Sequence, residues 1–275
     1  MKNAARAAMV ALGISLSVGM SLSGCQAVKT TQAGVVGVDR TQRMAVSASA
    51  LEKSANLQYG ELMDKAKEKG RLNPDTAQYQ RVKQIADKLI AQTPAFRRDA
   101  IGWKWEINVL DSPEVNAWCM PGGKIAVYTG LIDKLKVSDD ELAAVMGHEI
   151  AHALREHSRE RASEQTLAGI GISVVAAVAG IGQLGQKGME YAYQGLLGLP
   201  NSRQHETEAD RIGVELAARA GYDPRAAITL WQKMGKVAGD EPPKFLSTHP
   251  PRADRVKDLT VYSAKVMPLY QQSAK

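Results

Sequence analysis

The sequence predicts an α+β fold, predominantly helical, with a small β-sheet beside a helix that carries an H-E-x-x-H motif. Three observations support this. His148-Glu149-Ile150-Ala151-His152 sits inside a stretch with helical spacing, apolar and polar residues alternate from Trp103 to Val109, and helical patterns dominate the C-terminal half. A chain of 275 residues with 44% hydrophobic and 23% charged residues has the composition of a globular protein with a substantial core.

The N-terminus has a leader pattern. Lys2 and Arg6 precede an apolar run from about Ala7 to Met20, followed by Leu22-Ser23-Gly24-Cys25. These four residues resemble a bacterial lipobox, which implies cleavage of residues 1–24, acylation of Cys25 and anchoring without a membrane span. A plain signal peptide or an uncleaved anchor is the alternative, although the run is shorter than the roughly 20 residues a span needs. Gln26, where an aspartate would imply retention at the inner membrane, points to the outer membrane facing the periplasm. Cys119 is then the remaining thiol, so no internal disulfide is expected. With Lys2 and Arg6 in the leader, the net charge of +6 falls to about +4. There is no arginine-rich run or aromatic stacking platform, which argues against nucleic acid as a partner.

Residues 25–39 are small, polar and glycine-rich, the composition of a lipid-anchored tether, and the folded domain is expected over 40–275. Two helices are expected up to Gln92, divided by Gly70-Arg71-Leu72-Asn73-Pro74. The second places Val82, Ile85, Leu89 and Ile90 at helical spacing. Trp103, Trp105, Ile107 and Val109 then alternate with Lys104, Glu106 and Asn108 as in a half-buried strand. A second strand follows Pro121-Gly122-Gly123, with Ile125 and Val127 on one face. Ser138-Asp139-Asp140-Glu141 has the form of a capping box and opens the helix that holds the motif. A further helix is expected from Ser202 to Ala220, stopped by Gly221, and Asp223-Pro224 should start the next.

On a helix, residues four apart are separated by about 400° of rotation, so His148 and His152 project from one face and could grip one metal ion. Glu149 lies beside them, placed to take a proton from a metal-activated water and return it to a leaving amine. A third ligand must come from elsewhere. Position 158, where one extended signature requires histidine, is Ser158. His157 lies nine residues after His148, about 900° of rotation, hence on the far side of a continuous helix, and is expected to be structural. In Arg203-Gln204-His205-Glu206-Thr207-Glu208-Ala209-Asp210, Glu206 and Asp210 share a face and Glu208 points away. Glu206 would complete a two-His, one-Glu set, and Asp210 would orient a ligand histidine. An exposed acidic face is the alternative for this segment alone.

Together with Asn116-Ala117, Pro121-Gly122-Gly123, and Thr248-His249-Pro250 with Arg255, these motifs resemble the gluzincin metallopeptidase family of the CAAX prenyl protease and heat-shock membrane protease type. The likeness is to its short bacterial outer-membrane lipoproteins and its mitochondrial inner-membrane quality-control protease, and runs from about Arg40 into the C-terminal region. The resemblance implies a zincin-type (minigluzincin) domain and one Zn2+ per chain on His148, His152 and Glu206, with Glu149 as general base. It also implies that His249 and Arg255 stabilise an oxyanion, and that His249 contacts the metal when substrate is absent. Asn116, Ala117 and Trp118 match a strand edge on which an extended peptide pairs. The implied substrates are unfolded or misassembled membrane and periplasmic proteins.

Two features stand apart from these motifs. Cys119 near the site is expected to be an ordinary buried cysteine. The uncharged stretch 165–186, with Gly169, Gly171, Gly180, Gly182 and Gly185, is expected to be a hairpin or lid over the cleft rather than a span, because a span would draw both ligand helices to the membrane. A lipoprotein chaperone or assembly factor with a gated or structural zinc site is the competing reading, and the intact Glu149 argues against it. A deformylase would need a cysteine ligand in a setting that Cys119 lacks.

Overall fold

The computed structural model describes residues 26–167, 200–237 and 243–273. The leader with Cys25, and the glycine-rich stretch beyond Leu167, lie outside the described residues.

Three strands form the expected small sheet: β3 (Glu106–Leu110), β4 (Ala117–Met120) and β5 (Lys124–Tyr128), in the order β3-β5-β4. The central β5 runs parallel to β3, pairing Val109 with Val127, and antiparallel to β4, pairing Trp118 with Ala126. All five β5 residues are buried, because both faces of the sheet are covered. On one face Ile125 and Val127 join Val82, Leu89, Leu142 and Val145 from α2 (Thr76–Ile90) and α4 (Asp139–Leu154). On the other, Ala126 and Tyr128 meet Leu51, Ala55 and Tyr59 of α1 (Ala48–Glu68).

The strand expected from Trp103 starts only at Glu106. Trp103 closes a 3-10 turn and stacks on Trp105 at 5.4 Å, and both rings are only partly buried. Strand β4 was expected only from the resemblance, as the strand edge at Asn116 to Trp118, because four consecutive residues covered on both faces leave no alternation to detect.

A short helix α3 (Thr129–Leu135) leads into α4, whose capping box is formed as expected. Ser138 Oγ accepts from the Glu141 amide at 3.2 Å, and Glu141 Oε2 accepts from the Ser138 amide at 2.9 Å. Helix α4 is the hub of the domain and is buried on nearly every side. It packs against α6 (Arg203–Arg219), which Ser202 caps and which ends before Gly221 at φ +81°. Helix α5 (His157–Leu167) follows α4, and α7 (Ala226–Val237), α8 (Lys244–Thr248) and α9 (Arg255–Ser273) complete the described chain. Helix α7 begins two residues beyond Pro224, after a turn in which the Asp223 carboxylate accepts from the Arg225 amide. No helix among the described residues is long and apolar enough to cross a membrane.

The segment expected as a free tether is instead folded onto the domain. β1 (Gln26–Val28) pairs with β2 (Gln42–Met44), Val36 and Val38 enter the main core, and the Val36 amide donates to Glu215 at 2.9 Å. The fully buried Gln42 donates to the Arg155 carbonyl at 2.7 Å and to Glu160 at 2.6 Å, and Arg40 grips Glu160 through both oxygens. Valines spaced among glycines read as linker from composition alone, whereas their partners on α5 and α6 lie more than 100 residues away.

Burial acts to raise the Glu160 pKa, but Arg40, His205 and Gln42 outweigh it and hold the carboxyl well below its usual range. Such a group stabilises the fold above its unfolded pKa of about 4.3, and that contribution is lost as pH falls below it. The urea midpoint of the wild type is therefore expected to drop below about pH 4.3 more steeply than that of Glu160→Gln. Parallel pH profiles would contradict this.

Candidate metal centre and active site

Four elements bring the predicted residues together. Helix α4 presents His148, Glu149 and His152, α6 presents Glu206 and Asp210, His249 caps the end of α8, and Arg255 opens α9. Helices α4 and α6 touch backbone to backbone at Gly147 and Gly213, where an added Cβ would lie 2.9 Å from the Gly213 carbonyl oxygen or 2.8 Å from the His148 nitrogen. This close approach sets the depth at which Glu206 meets the two histidines.

His148, His152, Glu206 and His249 offer donor atoms that all lie within 4.8 Å of one another, and all four side chains are buried. The Nε2 atoms of His148 and His152 are 3.0 Å apart, and Glu206 oxygens lie 3.3 Å from His152 Nε2 and 3.6 Å from His148 Nε2. Ligands on a tetrahedral ion at 2.0–2.1 Å stand about 3.3 Å apart, so these separations suit one ion.

The hydrogen bonds around the rings decide where their protons sit. Burial acts to raise the Asp210 pKa, but Arg255 and His148 outweigh it, so Asp210 is an acceptor. His148 Nδ1, 3.0 Å from Asp210 Oδ1, therefore donates to it, which turns Nε2 toward the other donors. Burial holds His152 and His157 neutral, with pKa values well below the usual histidine value. His157 Nε2 donates to the Glu208 carboxylate at 3.1 Å, so His157 Nδ1 is an acceptor, and the atom facing it at 2.8 Å, His152 Nδ1, is the donor. His152 Nε2 thus bears a lone pair. It faces His148 Nε2 at 3.0 Å beside the buried Glu206 carboxylate, whose Oε2 lies 3.0 Å from Arg255 Nη2, and His249 Nδ1 stands 3.2 Å from His148 Nε2. Two imidazoles and a carboxylate that converge at these separations fit a metal ion.

The profile of Peptidase family M48 matches residues 76–263, more than half of the chain. The chain belongs to peptidase family M48. Its similarity to the mitochondrial metalloendopeptidase OMA1 of Arabidopsis thaliana is 42% identity over 159 residues, covering 58% of this chain and 31% of that protein. The OMA1 of Schizosaccharomyces pombe is 39% identical over 57% of this chain and 46% of its own length. The metalloprotease LoiP of Escherichia coli is 28% identical over 251 residues, 90% of this chain and 94% of LoiP. The match thus spans less than half the length of either OMA1 protein. The M48 region begins at α2 and ends within α9, so it holds every donor of the cluster and excludes the strap of residues 26–46 and α1.

Within this M48 domain, Glu149 is buried beside the donor cluster; burial pushes its pKa up, partly offset by His249 and His148, and its Oε1 has no hydrogen-bond partner. His249 bridges the two carboxylates, with Nδ1 3.0 Å from Glu206 Oε1 and Nε2 3.3 Å from Glu149 Oε1. Burial would lower the His249 pKa, but the charges of Glu149 and Glu206 raise it above its usual value. His249 therefore occupies the donor cluster itself. Arg255 lies behind it: its Nη2 pairs with Asp210 at 2.6 Å and Glu206 at 3.0 Å, and its guanidinium stacks over Trp231 at 3.2 Å. In this arrangement Arg255 holds two carboxylates, while its Nη1 and Nε have no hydrogen-bond partner.

Asn116, Ala117 and Trp118 lie on and just before β4, at an edge of the sheet beside α4. The Tyr128 amide donates to the Asn116 carbonyl, so by antiparallel alternation Asn116 and Trp118 face β5 while the backbone groups of Ala117 and Cys119 face the outer edge. The Asn116 side-chain oxygen already accepts from the Ala117 amide at 3.0 Å. Cys119 is buried in the main core and, with burial raising its pKa, stays a thiol. Two contributors escaped the sequence analysis, Arg252, whose Nη2 reaches Asp210 at 3.4 Å, and Trp231 beneath Arg255; His157, expected to be structural, is not among the four donors but touches His152 and pairs with Glu208. Only the helical offset from His152 could have pointed to His157, and it misleads because α4 stops at Leu154.

Proposed function

We propose that this protein is a zinc-dependent endopeptidase of the bacterial cell envelope that acts on unfolded or misassembled membrane and periplasmic proteins. The convergence of His148, His152 and Glu206, with the two Nε2 atoms 3.0 Å apart, supports the reading best. A zinc ion held by His148, His152 and Glu206 would supply Lewis acidity, lowering the pKa of a water to about 7 and polarising a peptide carbonyl. Glu149 takes the proton of the attacking water and delivers it to the leaving amine, and its buried carboxyl, whose pKa burial raises, is suited to that exchange. Asp210 and Arg255 hold His148 and Glu206 in place.

His249 fills the open side of the donor set, so the arrangement described here is closed, and we assign His249 a restraining role that ends when it withdraws. Only then could it or Arg255 face an oxyanion, and only then could an extended peptide reach the outer edge of Ala117. Main-chain pairing on that edge suits substrates of many sequences.

The envelope assignment rests on the leader and on the likeness to the β-barrel assembly-enhancing protease of Escherichia coli, 29% identical over 60% of this chain. Because Gln26 already belongs to β1, a lipid on Cys25 would hold the domain directly against the outer membrane, without a spacer.

The purified full chain is expected to bind one zinc and to cleave casein, and 1,10-phenanthroline should remove both metal and activity. Zinc binding without cleavage of casein or any other unfolded protein would favour the chaperone reading.

A further inference from the structure

His157 is completely buried but is not one of the four clustered donors. A continuous helix would carry it away from the site. Instead α4 ends at Leu154, Glu156 adopts the left-handed φ of +52°, and α5 starts at His157. This reversal swings the His157 ring back under His152, with Nδ1 to Nδ1 at 2.8 Å and ring centroids 4.9 Å apart. The opposite edge of His157 donates to Glu208, which also accepts from Arg155 Nη2 at 2.8 Å and from Arg40 Nε at 2.6 Å. His205 stacks on the ring at 4.4 Å and 16°, so the imidazole is clamped at both edges and on one face.

His157, Glu160 and His205 also bring donor atoms within 4.8 Å of one another. A second metal there would compete with Arg40 for both Glu160 oxygens and with His152 for His157 Nδ1, and would lie beside the guanidiniums of Arg40 and Arg155. The cluster is better suited to holding a ring than an ion.

We propose that His157 is a positioning residue for His152. It accepts the Nδ1 proton of His152, fixing that ring's tautomer and direction, and is itself anchored through Glu208 to Arg155 and, from the N-terminal strap, Arg40. His148 is oriented directly by a carboxylate, and His152 is oriented through an intervening imidazole. The segment between leader and domain thereby becomes part of the support of the metal centre. The proposal rests on the reading of His152 as a metal ligand.

The decisive measurement uses 15N-labelled, zinc-loaded full chain. His152 should show a metal-shifted Nε2 and a protonated Nδ1, with scalar coupling between its Nδ1 and His157 Nδ1. A metal-shifted His152 without that coupling would overturn the positioning role. A His152 with no metal shift would overturn the ligand reading beneath it. Zinc competition against a chromophoric chelator adds a second test. His157→Phe should weaken zinc binding about 10- to 100-fold and shift the visible bands of the cobalt form, whereas His157→Gln, which can still accept and donate, should restore most of the affinity. A folded Phe variant with wild-type affinity and spectrum would refute the proposal, and if that variant does not fold, the wild-type coupling decides.

Discussion

Glu149→Gln is expected to lower the rate of casein cleavage on the order of 10²- to 10⁴-fold while the protein still binds one zinc, the range that general acid–base catalysis contributes. The substitution is nearly isosteric, and Glu149 is not among the four donors, so the metal set should persist. Gln cannot accept a proton from water, so the loss should fall on turnover rather than on substrate affinity. Oε1 of the buried Glu149 makes no hydrogen bond and has His249 Nε2 as an ion-pair partner at 3.3 Å. His249 does lose its ion-pair partner, so it should be held less firmly in the cluster. A variant that binds zinc and cleaves at the wild-type rate would remove Glu149 from the chemistry. Loss of both zinc and activity would mean that it acts through the metal site instead.

Gly213→Ala is expected to destabilise the fold by about 2–3 kcal/mol and to weaken zinc binding. Helix propensity alone predicts the opposite sign, a gain of about 1 kcal/mol from replacing glycine inside a helix. The packing effect should win, because the new Cβ would lie 2.8 Å from the His148 nitrogen and 2.9 Å from its Cα. These are backbone atoms of the central helix, which cannot rotate aside as a flexible side chain can. The helices must separate instead, drawing Glu206 and Asp210 away from His148. Urea unfolding and a zinc titration of the variant would check both effects. A stabilised variant with unchanged zinc affinity would show that the contact between α4 and α6 yields at no cost.

The face of α4 that carries the candidate metal donors was legible because its information is local. A capping box, a helical period and two histidines four apart fix one face of one helix, and the structure keeps all three. Glu206 and Asp210 were legible for the same reason, as neighbours on one helical face after Ser202. The small sheet was half legible. Ile125 and Val127 do share a face, but β4 is buried on both sides and shows no alternation, and the tryptophans at 103 and 105 imitate a strand while stacking beside a 3-10 turn.

Residues 26–39 were misread as a free tether because their composition is that of a linker, and buried Val36 and Thr31 have meaning only against Glu215 and Arg155. His157 was read as structural on a rotation count that assumed an unbroken helix. No glycine or proline marks the break, since Glu156 itself takes the left-handed conformation.

By itself, then, the sequence determined the residue types of the metal chemistry, the helices that present them and the family to which the chain belongs, since each is written in short-range spacing. Only the tertiary structure decided which groups surround those residues: His249 inside the donor set, Arg255 on Glu206 and Asp210, and His157 beneath His152. Proton positions in the rings follow from such partners, which are set by packing between segments distant in the chain and leave no periodic trace in it.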